Sequence, residues 1–344
     1  MMPVVSVILP IRNEETNIKN TIDSILNQTY DLSRVQIIVV DGMSNDSTRN
    51  ILKEYGSKIE TCDNPHKYMP MAFNIGLSES VGSIIIVMGG HCTFDKNYIN
   101  NCVNNLINND YTCVGGIIEN EITNSKQEAI SIALSSIFGV GGVSFRMESN
   151  MARLVDTVAF GAYKREIFLK IGSLDEELIK NQDDEFNFRL LQSGGTIWLD
   201  PTIVSYYKPR SSLKKLFSQY FNYGLYKVRV IQKRKGVPAL RHLVPGSFFI
   251  VLSFSLIYGL LFKSFMLFKF IISIYILVNF FFSILSGRKK HKTILLLPLI
   301  YFILHLSYGM GFVFGLAYFI KKWKDTKIIN NHFNVKQFKS VQIL

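Results

Sequence analysis

Past residue 200 this chain has almost no acid: of its 26 Asp and Glu side chains only Asp325 lies there, against 22 Lys and Arg. Residues 1–200 carry the other 25 acids and 16 basic side chains. The formal net charge of +12 therefore belongs to one half of the chain, which excludes a basic surface shared by the whole fold. Cysteine is also scarce. Cys62, Cys92, Cys102 and Cys113 form no CxxC pair, so no disulfide framework is expected and a reducing compartment suits them. The N-terminus has no cationic region ahead of a long apolar run, and Pro10 interrupts the short run that is there. No secretory signal is expected, and the first half is expected to stay in the cytoplasm.

Apolar runs fill the basic half. Residues 244–262, 265–285 and 294–320 are apolar apart from Lys269 and a few Ser, Asn, His and Gly. About 20 such residues span a bilayer, so these are expected transmembrane segments. Cations cluster at their flanks: Lys233 to Arg241, Arg288 to Lys292, and Lys321 to Lys324. Such clusters mark the cytoplasmic side and attract anionic headgroups, which accounts for the positive charge without nucleic acid. Lys263 and Ser264 leave room only for a tight turn, so the first two spans form a hairpin. The third is either one tilted span or a re-entrant pair hinged at residues 307–315, where glycines gather. Residues 211–235 interleave Leu213, Leu216, Phe217, Tyr220, Phe221 and Leu225 with Lys214, Lys215, Lys227 and Arg229, a pattern suited to an amphipathic helix on the membrane face.

The acidic half reads as α/β. Two apolar runs, VSVILPI and VQIIVVD, are covered strands of a parallel sheet, joined by a helix with Ile18, Ile22, Ile25 and Leu26 on one face. Each strand ends abruptly in acid, at Glu14 and Glu15 and at Asp41. Ligands bind at such carboxyl ends because the loops leaving neighbouring strands diverge there. SIIIVM at 83–88 is a third strand, followed by Gly89, Gly90 and His91. Further on, KNQDDEFNFRLLQSGG opens a helix with Asp183, Asp184 and Glu185. Acids in a first turn complement the helix dipole, but three together exceed that need and suit a base or a cation site.

These stretches, in this order, resemble the family 2 glycosyltransferases, in particular the membrane-anchored subfamily that includes succinoglycan-type glucosyltransferases. VSVILPIRNEETNI resembles the family's first strand and loop, VVDGMSNDST its second, and NQDDEFNFRLLQSGGTIWLDP its acceptor-side acidic motif. The resemblance implies a GT-A fold, a Rossmann-like and mostly parallel sheet with helices on both faces, followed by transmembrane helices. It implies a catalytic domain at 1–207, a basic interfacial segment at 208–242, about three transmembrane helices within 243–320, and a basic polar tail at 321–344.

By the same resemblance, Asp183 is the catalytic base. Pro10, Arg12, Glu14, Asp41 and Gly90 lie at donor-nucleotide positions. Asp184, Glu185, Arg189 and Gln219 are acceptor-side or supporting, with Arg189 facing either the site or the solvent. Asp46 reads as a structural turn residue. The implied cofactor is Mg²⁺ or Mn²⁺. The subfamily's metal motif reads Asp-Gly-His, and this chain has Gly89, Gly90 and His91 there, so His91 is the remaining metal ligand. The implied activity is inverting transfer of a hexose, glucose from UDP-glucose first, to a lipid-linked saccharide at the cytoplasmic face of the plasma membrane. Alternatives are a polyprenyl-phosphate hexosyltransferase and a non-catalytic nucleotide-sugar-binding subunit.

Overall fold

A computed structural model describes residues 2–147, 151–209, 212–237, 239–288 and 291–340. Along the chain run β1 (Val5–Ile11), α1 (Ile18–Leu26), β2 (Val35–Asp41), α2 (Thr48–Lys53), β3 (Glu60–Asp63), α3 (Met69–Glu79), β4 (Ile84–Val87), β5 (Cys92–Phe94), α4 (Tyr98–Asn108) and β6 (Cys113–Asn120). Then follow α5 (Ser125–Leu134), α6 (Ile137–Val140), β7 (Arg153–Leu154), β8 (Ala159–Lys164), α7 (Glu166–Ile171), α8 (Gln182–Gln192) and β9 (Ile197–Tyr207). The rest is helical: α9 (Leu213–Arg234), α10 (Val244–Phe262), α11 (Met266–Gly287), α12 (His291–Ile294), α13 (Leu297–Tyr318) and α14 (Val335–Ser340). The chain forms two compact units. The first joins Met1–Glu119, Ser149–Lys208 and Ile328–Leu344; the second joins Asn120–Glu148 and Pro209–Lys327.

The first unit is built on a nine-stranded sheet of order β3-β2-β1-β4-β8-β6-β9-β5, with β7 against β9. β3, β2, β1 and β4 are parallel, whereas β8 runs antiparallel to β4 and to β6, and β5 and β7 antiparallel to β9. The sheet is therefore mixed rather than mostly parallel. The apolar runs of β1 and β2 are buried at nearly every position, as strands covered on both faces must be. Ile18, Ile22 and Ile25 of α1 seal one face. Pairing of β1 with β4 stops at Ile8, so the missing N–H of Pro10 costs no ladder bond on that side.

The C-terminal segment belongs to this unit. Glu176 accepts from the Asn74 amide (2.8 Å), the His332 backbone N–H (2.9 Å) and His332 Nδ1 (2.9 Å). The Phe338 ring is buried beneath the Arg165 guanidinium, 3.5 Å from ring centroid to guanidinium carbon.

In the second unit, the residues around α10, α11 and α13 form three stretches long and apolar enough to cross a membrane, Leu240–Phe262, Met266–Gly287 and Leu297–Tyr318. The third is a single continuous helix; its glycines serve packing, not a hinge. A Cβ on Gly311 would lie 1.9 Å from the carbonyl oxygen of Phe221 in α9, so the two helix backbones touch there. Helix α9 begins at Leu213, and Ser211 lies outside the described residues, as do Lys289 and Lys290. Of the cations expected to face headgroups, Lys227 and Arg229 are buried, as is Lys233. Arg229 donates to the carbonyls of Lys322 (3.0 Å) and Asp325 (2.9 Å) and pairs with the Asp325 carboxylate (2.7 Å). Lys233 donates to the carbonyl of Lys327 (2.9 Å). Arg229 and Lys233 thus satisfy main-chain carbonyls of the segment that follows α13.

Candidate active site

The chain winds from β1 outward to β2 and β3, then returns to place β4 on the other side of β1. At that reversal the loops after β1 and β4 part and leave a crevice. Glu14 stands on one lip and His91 on the other, with Glu14 Oε1 3.3 Å from His91 Nδ1. Glu14 Oε2 accepts from the Asn17 amide (3.1 Å). Gly90 is required by closeness: a Cβ there would fall 2.5 Å from Ile11 Cγ2. Its carbonyl accepts from the Thr21 hydroxyl at 3.0 Å. Arg12 is exposed on the β1 loop, its stem against Gly42.

The Ser/Asn/Asp-rich loop after β2 holds the loop after β1. Ser44 Oγ accepts from the Asn13 N–H (2.8 Å), Thr48 Oγ1 from the Glu14 N–H (2.8 Å) and Asp46 Oδ2 from the Glu15 N–H (3.2 Å). Asn13 has φ of +54°, a conformation asparagine tolerates better than most residues. Desolvation raises the Asp46 carboxyl, but donors from Thr48 and Glu15 outweigh it and keep its pKa below the usual value. Asp46 is thus a structural turn residue.

Asp41 closes β2 and is buried. Its carboxylate accepts from Arg49 Nε (2.5 Å), the Ser44 N–H (3.0 Å) and the Ser44 hydroxyl (2.5 Å). Arg49 bridges onward to Asp63 (2.6 Å), which is Asp41's register partner on β3. The hydrogen bond to Asp41 raises the Arg49 pKa and fixes its charge. These residues line a cavity of about 220 Å³ together with Leu52, Ile59 and Thr61. Sequence reasoning did not single out Arg49 or Asp63. Their only signal was position, Asp63 ending an apolar-poor edge strand and Arg49 opening α2.

Asp183 lies exposed in the first turn of α8, and the Asp184 N–H donates to its Oδ1 (2.9 Å). Gln182 Nε2 contacts Met69 Sδ at 3.3 Å, and Met69 starts α3 just after β3 has ended at Asp63. The N-terminus of α8 therefore touches the N-terminus of α3, the helix that follows β3. Asp41, Glu14 and His91 lie at the ends of β2, β1 and β4, and Asp183 is next in the chain to Gln182, which touches the start of α3. Behind α8, the Tyr163 hydroxyl donates to Asn187 Oδ1 (3.1 Å); burial first, then neighbours including Asp183, push its pKa far up, so it is a fixed donor.

Two of the supporting residues face inward. Glu185 is fully buried and paired with Arg189 at 2.9 Å. Arg189 also donates to the carbonyls of Ser173 (2.8 Å) and Ile171. It faces neither the site nor the solvent but ties α8 to the end of α7. Gln219 belongs to the second unit, where its amide donates to the Tyr223 hydroxyl (2.8 Å).

Gly89 stands where a carboxylate was expected. A Cβ there would meet the Phe160 ring at 2.9 Å, so the space is filled by an aromatic side chain. No group of three or more His, Cys, Asp or Glu able to hold a metal occurs among the described residues. The imidazole of His91 and the carboxylate of Glu14 are donors that Mn²⁺ accepts, and a nucleotide-bound cation draws its other ligands from phosphate and water. The donor set fits a cation shared with a diphosphate, not one caged by protein alone.

A mixed sheet with an acidic crevice at its switch point is the GT-A architecture, which the chain shares with the mannosyltransferase PcManGT from Pyrobaculum calidifontis, solved with GDP-Man and Mn²⁺. The TM-score is 0.58 over 92% of this chain and 88% of that one, at 14% identity, a likeness of fold. Residues 6–172 match the family described as Glycosyl transferase family 2. A Methanococcus voltae protein named dolichyl N-acetyl-alpha-D-glucosaminyl phosphate 3-beta-D-2,3-diacetamido-2,3-dideoxy-beta-D-glucuronosyltransferase is 30% identical over 92% of this chain and 98% of its own. The succinoglycan biosynthesis protein ExoA of Rhizobium meliloti (strain 1021) is 27% identical over 70% of this chain and 73% of its own. The chain belongs to glycosyl transferase family 2 and is a glycosyltransferase, with three helices among the described residues long and apolar enough to cross a membrane.

Proposed function

We propose that the enzyme transfers a hexose, with UDP-glucose the first donor to test, to a saccharide carried on a lipid phosphate, with inversion at the anomeric carbon. The observation that supports this reading is the acidic crevice where β1, β2 and β4 end, with α8, which Asp183 opens, touching the start of α3 through Gln182 and Met69. The Asp41, Arg49 and Asp63 cavity offers fixed carboxylate and guanidinium partners for a nucleoside. Pro10, Arg12, Glu14 and Gly90 border the adjoining crevice, where the sugar diphosphate lies.

A sugar hydroxyl is a weak nucleophile, so a carboxylate must take its proton as its oxygen attacks C1. Asp183 is that base: exposed, and oriented by the Asp184 N–H. As the new C1–O bond forms, the bond from C1 to the diphosphate oxygen breaks, the proton passes to Asp183, and the nucleoside diphosphate departs. One displacement with no covalent intermediate turns an α-linked donor into a β-linked product. A divalent cation at His91 and Glu14 would neutralise charge on the departing diphosphate.

The two relatives named for a dolichyl phosphate saccharide and for succinoglycan support a lipid-linked acceptor. The apolar helices keep the enzyme where such an acceptor is confined, and the α10–α11 pair, with basic clusters at 233–241 and 288–292 at its two ends, supports a multi-pass plasma-membrane protein with its catalytic unit in the cytoplasm; because residues 328–340 fold into the first unit, α13 is not read as a third complete crossing. Incubation of purified protein with labelled nucleotide sugars and lipid-linked saccharides tests this. Transfer to a lipid-extractable product is expected, and its absence with every lipid-linked acceptor would overturn the reading.

A further inference from the structure

The second unit holds a cavity of about 510 Å³, within the range of small-ligand sites. Phe138, Val244, Pro245, Phe248, Phe282 and Leu304 make its wall predominantly apolar, and Arg241 and His242 line it too, just before α10 begins. Gly141, at φ +73°, lets the Arg241 stem lie against the backbone; a Cβ there would sit 2.6 Å from Arg241 Cβ. The wall is braced by His305, whose Nε2–H donates to the Phe138 carbonyl (2.7 Å) while Nδ1 accepts from the Tyr275 hydroxyl (3.0 Å). Those bonds tie α6 to α11 and α13, so the cavity is formed in advance of any ligand.

We infer that this cavity binds the phosphate-proximal part of an isoprenyl phosphate, the carrier portion of the lipid-linked acceptor. The inference rests on the proposed function for its acceptor class. An apolar lining bearing a guanidinium matches an amphiphile with an anionic head, since arginine binds phosphate through paired charge-assisted hydrogen bonds. Size favours one chain over two. A cavity of about 510 Å³ suits one short prenyl segment with its headgroup and is too small for two long acyl chains.

The test uses full-length protein in phosphatidylcholine nanodiscs and a photoreactive farnesyl phosphate, with peptide mapping of the crosslink. Crosslinks are expected within residues 137–141, 241–248 or 304–308. Loss of the phosphate, using the matching farnesol probe, and Arg241→Gln should each lower labelling by about tenfold or more, the size of a lost charged hydrogen bond. Val244→Trp fills the cavity from a position 65% exposed, so folding is spared, and should abolish labelling. Unlabelled polyprenyl phosphate should compete and phosphatidic acid should not. Equal competition by phosphatidic acid, equal labelling by farnesol, or labelling indifferent to Val244→Trp would overturn the inference. Sugar transfer measured in parallel separates the two readings. Transfer that needs a lipid-linked acceptor yet ignores Val244→Trp removes this site alone. Crosslinks that map here while sugar goes only to soluble acceptors remove the acceptor assignment instead.

Discussion

The ring of Phe160 occupies the volume that a side chain on residue 89 would need, its Cε1 2.9 Å from where that Cβ would stand. Phe160 is held there by its neighbours: Tyr98 donates to its carbonyl (2.7 Å), and Phe94 packs edge-on at 5.6 Å. Gly89→Asp must therefore displace an anchored ring, and overpacking of this kind costs about 1–3 kcal/mol. A lowered melting temperature is expected, with no gain in Mn²⁺ affinity. In Gly89→Asp with Phe160→Ala the two losses should not add, and a double-mutant cycle by thermal denaturation measures the coupling.

Asp183→Asn keeps the shape of the residue and removes the base. Transfer should fall by about 10² to 10⁴-fold, the usual share of general-base catalysis, while nucleotide-sugar affinity stays near that of the parent. Single-turnover kinetics alongside donor-binding isotherms checks this. Unchanged turnover would reassign the base.

Arg49 neutralises two carboxylates at once, Asp41 at 2.5 Å and Asp63 at 2.6 Å. Arg49→Met leaves buried Asp41 without its cation. Because Arg49 is itself about a third exposed, the expected loss is about 1–3 kcal/mol rather than the larger figure for a fully buried pair. Nucleotide affinity should drop with it, read by isothermal titration with UDP.

Phe338 is 1% exposed, and the chain reaches it only after the whole second unit has been traversed. Phe338→Ala should destabilise the first unit by about 3–5 kcal/mol. Hydrogen exchange at Arg165, Phe168 and their neighbours should rise, while exchange in α9 and α13 stays unchanged.

What the sequence determined by itself was local. The strands β1 and β2, the acids that end them, the helix opened by Asp183 and the three apolar spans follow from period, run length and turn chemistry within single elements. Helix α13 shows the limit. Its glycines read equally well as a hinge, because a small residue permits both a break and a close approach, and only the backbone of α9 at Phe221 decides between them.

Tertiary structure alone set the partners. That β8 enters antiparallel beside β4, that Arg49 reaches Asp63 as well as Asp41, that the Glu185–Arg189 pair is buried against the Ser173 carbonyl, and that residues 328–340 return to the first unit all depend on how separate elements pack. Periodicity states which face of an element is apolar but not which element will cover it. A carboxylate's role follows from the groups the fold brings to it: Glu185 and Arg189 stand at i, i+4 spacing on one helix, but burial and the carbonyls of Ile171 and Ser173 decide that they form a structural pair.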